Sequence, residues 1–446
     1  MTDSKSGKRS RVPAGRIERL ARLGLLAAEL AAGGLYEGAR RALGAGAAAA
    51  ETASALLSPA NARVLARRLS QMRGAAMKLG QLLSLESADL LPPAFAEALA
   101  ALRSSADTMP VSQLRRVLGR EYGKGWEARF ARFDFEPIAA ASIGQVHAVR
   151  ASDGRELALK IQYPGVARSI DSDVDNVATL LHLSRILPVE IDVSGLVAEA
   201  KRQLRQEADY LAEAASLRRY RALVADEPGL WVPEVHDDLT TRRVLAMDFA
   251  RGVPIETLAA ASAPQALRDA VGARLQQLMF REIFEFRFVQ TDPNFANYRL
   301  DPESGRLLLL DFGSTREYAA DFVAHYADLC RGAMRGDREA VLGAAVAIGY
   351  LRRDDPAEHV RAAVDLMLLV CEPLRYAGPY DFARTTLAVR TRDAGFDLAF
   401  AKGFLRAPPA ETVFLHRKLA GTFLLSGKIR ARVDVRALLG PLLKAR

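Results

Sequence analysis

The chain has 446 residues, 50% of them hydrophobic and 26% charged, which is enough apolar material for a large folded core and unlike the composition of a disordered chain. Its net charge of +9 favours acidic partners, but Lys and Arg are spread along the sequence and match no zinc-finger, basic-zipper or RNP-type pattern. Nucleotide and anionic membrane surface are therefore the expected partners, and no nucleic acid. Cys330 and Cys371 lie far apart without CxxC spacing and the six histidines form no paired ligand motif, so no disulfide framework, thiolate zinc site or histidine metal site is expected, and the compartment reads as reducing.

Residues 1–60 begin with a basic flank, Lys5, Lys8, Arg9, Arg11, Arg16, Arg19 and Arg22, and continue into an Ala/Leu/Gly-rich stretch from Leu20 to Leu43 broken by Glu29 and Glu37. A basic flank beside an amphipathic helix can rest on an anionic bilayer; a tail followed by a packing helix is the plainer reading. No apolar run is long enough to span a membrane and no signal-peptide core is apparent, so the expectation is a cytoplasmic protein, soluble or peripheral on the inner membrane.

Residues 61–130 form a helical extension: Leu65, Leu69, Met72, Ala76, Leu79 and Leu83 fall at helical spacing before Pro92-Pro93 ends the pattern. From 131 to 249 the chain alternates. Short strand-like runs between Phe133 and Tyr163 turn at Asp153-Gly154, residues 166–222 return to helix, and Trp231 to Phe249 reads as strands with Val232, Val235, Val244, Leu245 and Met247 buried. From 250 to 446 a helix marked by Leu267, Val271, Leu275 and Leu278 leads to a polar loop and the strand Leu307 to Leu310, after which the patterns are almost wholly helical. The fold class is α+β, with a small sheet followed by a mostly helical lobe, an order that suits a two-lobed phosphotransferase with a nucleotide cleft.

The most specific signal is Asp292-Pro293-Asn294-Phe295-Ala296-Asn297 followed by Leu310-Asp311-Phe312-Gly313. The first segment sets Asp and Asn five apart in a loop, the catalytic-loop spacing of a kinase, and the second ends an apolar strand on Asp. Mg2+ is a hard cation that needs oxygen ligands, which Asn297 and Asp311 supply, while Asp292 can orient an acceptor hydroxyl or water. Upstream, Glu156 to Ile161 sets Lys160 on a strand, where an ammonium can meet nucleotide phosphates, and Glu213 on a later helix is its expected partner. Ala139, Ala140, Ala141 and Ser142, one hairpin earlier, stand where a protein kinase has its glycine-rich phosphate loop, and their β-carbons restrict the left-handed conformations that glycine allows. With Lys160, Glu213 and Met247 they make up the expected ATP-binding set.

One segment makes the resemblance specific: Lys78-Leu79-Gly80-Gln81, a KxGQ motif, followed by Ser105-Ala106-Asp107. With the motifs above it is similar, from about Val64 to Arg432, to the ABC1/ADCK/UbiB atypical kinases, particularly the branch associated with coenzyme Q. The resemblance implies a two-lobed protein-kinase-like fold with an N-terminal helical extension covering the active-site cleft, and regulatory roles for Lys78 and Gln81 with an ExD motif, here Glu207 and Asp209. Lys78 and Gln81 share a helix face. On a straight helix, however, positions 207 and 209 point roughly 200° apart and cannot address one ligand together. The chain departs from the family pattern in having Gln290 where members commonly have His. The resemblance also implies an Mg2+-dependent ATP-binding kinase or ATPase supporting ubiquinone biosynthesis, in contact with quinone precursors or lipid and with quinone-biosynthesis proteins. A small-molecule or lipid phosphotransferase and an ATP-gated scaffold are the alternatives. The segment Gly421 to Lys428 imitates a phosphate loop but fails its spacing and lacks the final Ser or Thr, so it reads as helical packing.

Overall fold

A computed structural model of the protein describes residues 108–141, 143–183, 194–404, 406 and 408–444. The stretch within 1–60 read as a membrane-resting or a packing helix, residues 61–107 of the helical extension with the Lys78 to Gln81 motif, and Ser142 lie outside the described residues. Two compact units divide the described residues, one comprising those up to Arg218 with Pro233–Phe249, the other Arg219–Val232 with those from Ala250 on.

In the first unit, helix α1 (Val111–Tyr122) buries Leu114, Val117 and Leu118 at helical spacing and stops at Gly123, whose φ of 86° favours a residue without a side chain. A five-stranded antiparallel sheet follows, in the order β1-β3-β4-β6, with β2 also pairing to β3. Its strands are β1 (Phe130–Phe133), β2 (Ala139–Ala140), β3 (Gly144–Ala151), β4 (Glu156–Gln162) and β6 (Val244–Asp248). The hairpin between β3 and β4 turns at Asp153-Gly154, with Gly154 at φ 94°. Strand β4 lies in the middle of the sheet and is buried from Leu157 to Gln162, which explains its continuous apolar run around one lysine. Helices α2 (Val166–Leu183), α3 (Ser194–Glu207) and α4 (Tyr210–Leu223) fill the interval between β4 and the strands further on.

The second unit opens with the end of α4 and β5 (Leu230–Trp231). These residues fall inside the 131–249 lobe drawn from the sequence but pack with later ones: the Tyr220 ring meets Phe312 at 4.5 Å, and β5 runs parallel to β10 (Leu307–Leu309). With β7 (Val253–Pro254) and β9 (Tyr298–Leu300) they form a sheet in the order β5-β10-β9-β7. Helix α5 (Gln265–Arg281) buries Val271, Leu275 and Leu278 and widens into a π turn, Glu282–Phe286, that ends at Arg287 in the left-handed region. That turn delivers β8 (Phe288–Gln290), which pairs with β11 (Thr315–Glu317). Among the described residues the rest is helical: α6 (Ala320–Arg335), α7 (Arg338–Ile348), α8 (Ala357–Val370), α9 (Glu372–Arg375), α10 (Leu387–Phe396), α11 (Ala410–Lys428) and α12 (Val435–Lys444). A two-stranded ribbon, β12 (Tyr380–Asp381) with β13 (Arg432–Val433), interrupts them. None of these helices is long and apolar enough to cross a membrane.

Candidate active site

In the first unit the chemistry gathers on β4. Lys160 lies opposite Val146 on one neighbouring strand and Leu245 on the other. An ammonium buried at such a position needs an anion. Lys160 Nζ donates to Glu213 Oε1 at 2.7 Å and Oε2 at 3.0 Å, with side chains 8% and 0% exposed, and lies over the Tyr210 ring at 5.4 Å. Met247 is buried on β6 opposite Ala158.

The helix carrying Glu213 does not continue from the one carrying Glu207, so the angular separation that a straight helix would impose on Glu207 and Asp209 does not apply. Helix α3 ends at Glu207, Ala208 turns, and Asp209 caps α4: its Oδ1 accepts from the N–H groups of Leu211 at 3.1 Å and Ala212 at 3.2 Å, while its carbonyl takes the Glu213 N–H at 3.0 Å. The physical reason is that Asp competes for backbone donors and favours a helix start over a helix interior. Gln162 Nε2, at the end of β4, donates to the Ala208 carbonyl at 2.8 Å and ties this break to the sheet. Glu207 is buried and accepts from Gln203 Nε2 at 3.3 Å.

The alanine segment forms an exposed hairpin arm. Ala139 and Ala140 pair with Val146 and Gln145, and the Ala141 N–H donates to the Gly144 carbonyl at 2.9 Å. Gly144 is the constrained residue there, since a β-carbon would lie 2.4 Å from the Ile161 carbonyl oxygen and 2.7 Å from the Tyr210 hydroxyl. Beside it, His147 Nδ1 donates to the Asp134 carbonyl at 2.8 Å, which leaves Nε2 to accept from Gln145 Nε2 at 2.7 Å; this histidine is a fully bonded core group.

In the second unit, pairing of β8 with β11 continues into the loops. The Thr291 N–H donates to the Ser314 carbonyl at 2.8 Å and the Leu310 N–H to the Asn297 carbonyl at 3.0 Å, so Asp292, Asn297 and Asp311 are brought together. Asn294 caps the short turn Phe295–Asn297 by accepting from the Ala296 N–H. Asn297 Nδ2 faces Asp292, at 3.1 Å from its carbonyl and 3.5 Å from Oδ2, and among the described residues nothing donates to Asn297 Oδ1. Asp311 Oδ1 accepts the Gly313 N–H at 2.9 Å. Gln290 supplies the orientation that a histidine was expected to give: its Nε2 donates to the Asp292 carbonyl at 2.8 Å and to the Asp311 carbonyl at 3.1 Å. A carboxamide has two N–H bonds for this task, whereas a neutral imidazole has one.

Helix α11 contributes residues that sequence reasoning did not single out. Arg417 Nη2 donates to Asp292 Oδ1 at 2.6 Å. Lys418 pairs with Glu282 at 2.7 Å, the two side chains 3% and 0% exposed, and Glu282 also accepts from the Tyr220 hydroxyl at 2.7 Å and the Gln290 N–H at 3.1 Å. Burial alone would push the Lys418 ammonium down, but the Glu282 carboxylate and the Tyr298 hydroxyl together outweigh it and the net direction is upward. Burial pushes the Tyr298 and Tyr220 phenols up, with Lys418 opposing the rise at Tyr298 and Glu282 adding to it at Tyr220. Gly421, one turn beyond Arg417, has no room for a β-carbon, which would fall 2.2 Å from Pro293 Cβ, so the reading of this stretch as helical packing acquires a definite partner in the loop of Asp292. The available signal was Arg417-Lys418, adjacent cations in a largely apolar helix.

Helices on a small antiparallel sheet, a strand lysine clamped by a helix glutamate, and an Asp-Asn loop joined to an Asp-Phe-Gly segment define a protein-kinase-like phosphotransferase. The family of the ABC1 atypical kinase-like domain matches residues 101–345. The chain is 40% identical over 435 residues to the mitochondrial atypical kinase COQ8B of Rattus norvegicus, covering 98% of this chain and 82% of that protein. It is 37% identical over 433 residues to the mitochondrial atypical kinase COQ8 of Saccharomyces cerevisiae, covering 96% and 84%. Among solved structures, Rv3197 of Mycobacterium tuberculosis, determined in complex with erythromycin, superposes with a TM-score of 0.62 at 27% identity, over 88% of this chain and 98% of that one. The chain belongs to the ABC1 family of atypical kinases, in the coenzyme Q branch with the COQ8 proteins.

Proposed function

We propose that the protein is an Mg2+-dependent, ATP-binding atypical kinase or ATPase that supports ubiquinone biosynthesis. The convergence of Asp292, Asn297 and Asp311 through the hydrogen bonds from Leu310 and Gln290 carries the reading. Lys160, fixed by Glu213, contacts nucleotide phosphates; the small side chains of Ala139 to Ser142 allow the hairpin arm to lie close to them, and Met247 borders the base. Asp292 receives the hydrogen of an acceptor hydroxyl or water.

The donor set fits the cation. Asn297 Oδ1 and the Asp311 carboxylate are two hard oxygen ligands from the protein. That combination suits an ion that takes most of its ligands from phosphates and water. When bound, Mg2+ would neutralise charge on the β- and γ-phosphate oxygens.

The link to ubiquinone rests on likeness to the COQ8 proteins. Regulatory roles for Lys78, Gln81, Glu207 and Asp209, and contact with anionic membrane, quinone precursors or lipid, and quinone-biosynthesis proteins, belong to the same reading. The test is nucleotide turnover by the purified protein, with and without quinone-headgroup compounds and anionic liposomes, beside Asp311→Asn. Turnover in the wild type that these additions raise and the variant lacks is expected. Equal turnover in both proteins rejects the site, and unchanged quinone levels after gene deletion reject the pathway.

A further inference from the structure

Arg417 is more than 90% buried, yet it spends one hydrogen bond on Asp292 and leaves Nε and Nη1 with no partner among the described residues. Burying guanidinium donors without acceptors is costly, and such groups persist where a function retains them. Its neighbour Lys418 shows the contrast, since its charge is matched by Glu282. Arg417 stands on the face of α11 that presses on the catalytic loop, the face on which Gly421 makes room for Pro293. The loop from Thr291 to Asn297 contains no Lys or Arg of its own.

We infer that Arg417 is the phosphoryl-binding cation of this site, a catalytic residue supplied by a late helix to a loop that lacks one. The inference rests on the reading of Asp292 to Asp311 as a phosphoryl-transfer site. Any oxygen held by Asp292 for attack on phosphorus brings the phosphoryl oxygens beside the guanidinium. As the acceptor oxygen bonds to the γ-phosphorus, the bridging P–O bond breaks, ADP leaves with the electron pair, and the acceptor's proton passes to Asp292. Arg417 exchanges no proton. Its open donors meet the charge that spreads over the equatorial oxygens, and Nη2 keeps Asp292 aimed.

The test compares wild type, Arg417→Met and Arg417→Lys for nucleotide turnover, and titrates each ADP-loaded protein with inorganic phosphate. Arg417→Met should lower kcat by about 100-fold with little change in KM for ATP, as when one preorganised donor is removed from a transition state, and should lose phosphate binding; Arg417→Lys should fall between. Should Arg417→Met not fold, Asp292→Asn is compared with Asp292→Asn/Arg417→Met, which buries no unpaired charge. The single variant should bind phosphate at least as well as wild type and the double variant should not. Unchanged kcat, or equal phosphate binding in that pair, overturns the inference while wild-type turnover leaves the proposed function standing. A wild-type protein that neither turns over nucleotide nor binds phosphate overturns both.

Discussion

The two units differ in how they hold buried charge. In the first, the Lys160 ammonium is shared by both oxygens of Glu213, a closed pair whose members come from a strand and a helix. In the second, α11 brings two adjacent cations to two different acids: Lys418 enters a closed network with Glu282 and Tyr298, whereas Arg417 meets Asp292 with most of its donors unspent. A closed pair fixes geometry, because removing either charge strands the other in a low-dielectric interior. An open one retains capacity for a further anion. The difference separates residues that hold the site from those that act in it.

The largest expected effects lie on the acting side. Asp292→Asn should lower turnover by roughly 100-fold or more while leaving nucleotide binding intact, checked by steady-state turnover beside a binding titration. An effect confined to stability would move Asp292 to the holding group. Next come the closed pairs. Lys418→Met should cost about 3–5 kcal/mol in denaturant unfolding, and Lys418→Met/Glu282→Gln should recover most of it, as expected for a buried pair removed as a unit. Lys160→Met should be similarly destabilising through Glu213 and should also weaken ATP binding. If it changed binding alone, the likeness between the two closed pairs would be broken.

Much of the first region was legible in the sequence. Lys160 sits in an apolar strand, where its burial could be foreseen, and Glu213 follows at a spacing tied to a known arrangement. The break between Glu207 and Asp209 was harder to see, because a polar stretch at helical spacing does not display a cap that overrides the helix. In the second region, Asp292, Asn297 and Asp311 were readable from local spacing. Arg417 was not: it lies 125 residues from Asp292 along the chain, and tertiary packing, of Gly421 on Pro293 and of Lys418 on Glu282, joins them. Gln290 was read as a departure, since its two donated bonds depend on backbone carbonyls that the sequence does not locate.

Smaller effects sharpen the same contrast. Gly421→Ala should cost about 1–3 kcal/mol and lower turnover, because its methyl group must displace Pro293 and with it the Asp292 loop. Thermal unfolding read beside turnover checks this. Asp209→Ala should cost about 1 kcal/mol through the lost cap of α4. The pH dependence completes the series. Lys418, Tyr220 and Tyr298 all have their pKa raised in the folded protein, so above pH 10 the unfolded chain releases protons that the folded one retains. Their contribution to stability is therefore full below that range and declines as pH rises through it. Denaturant midpoints at pH 8 and pH 11 should show the decline, and Lys418→Met/Glu282→Gln should make it shallower.

The most direct measurement is ATP binding and turnover in parallel for the wild type and Asp311→Asn, with Mg2+ varied. An Mg2+-dependent wild-type turnover that falls roughly 100-fold or more in the variant, while folding is preserved, is the result that follows from the proposed oxygen ligation at Asn297 and Asp311. Equal, Mg2+-independent turnover in the two proteins would contradict it.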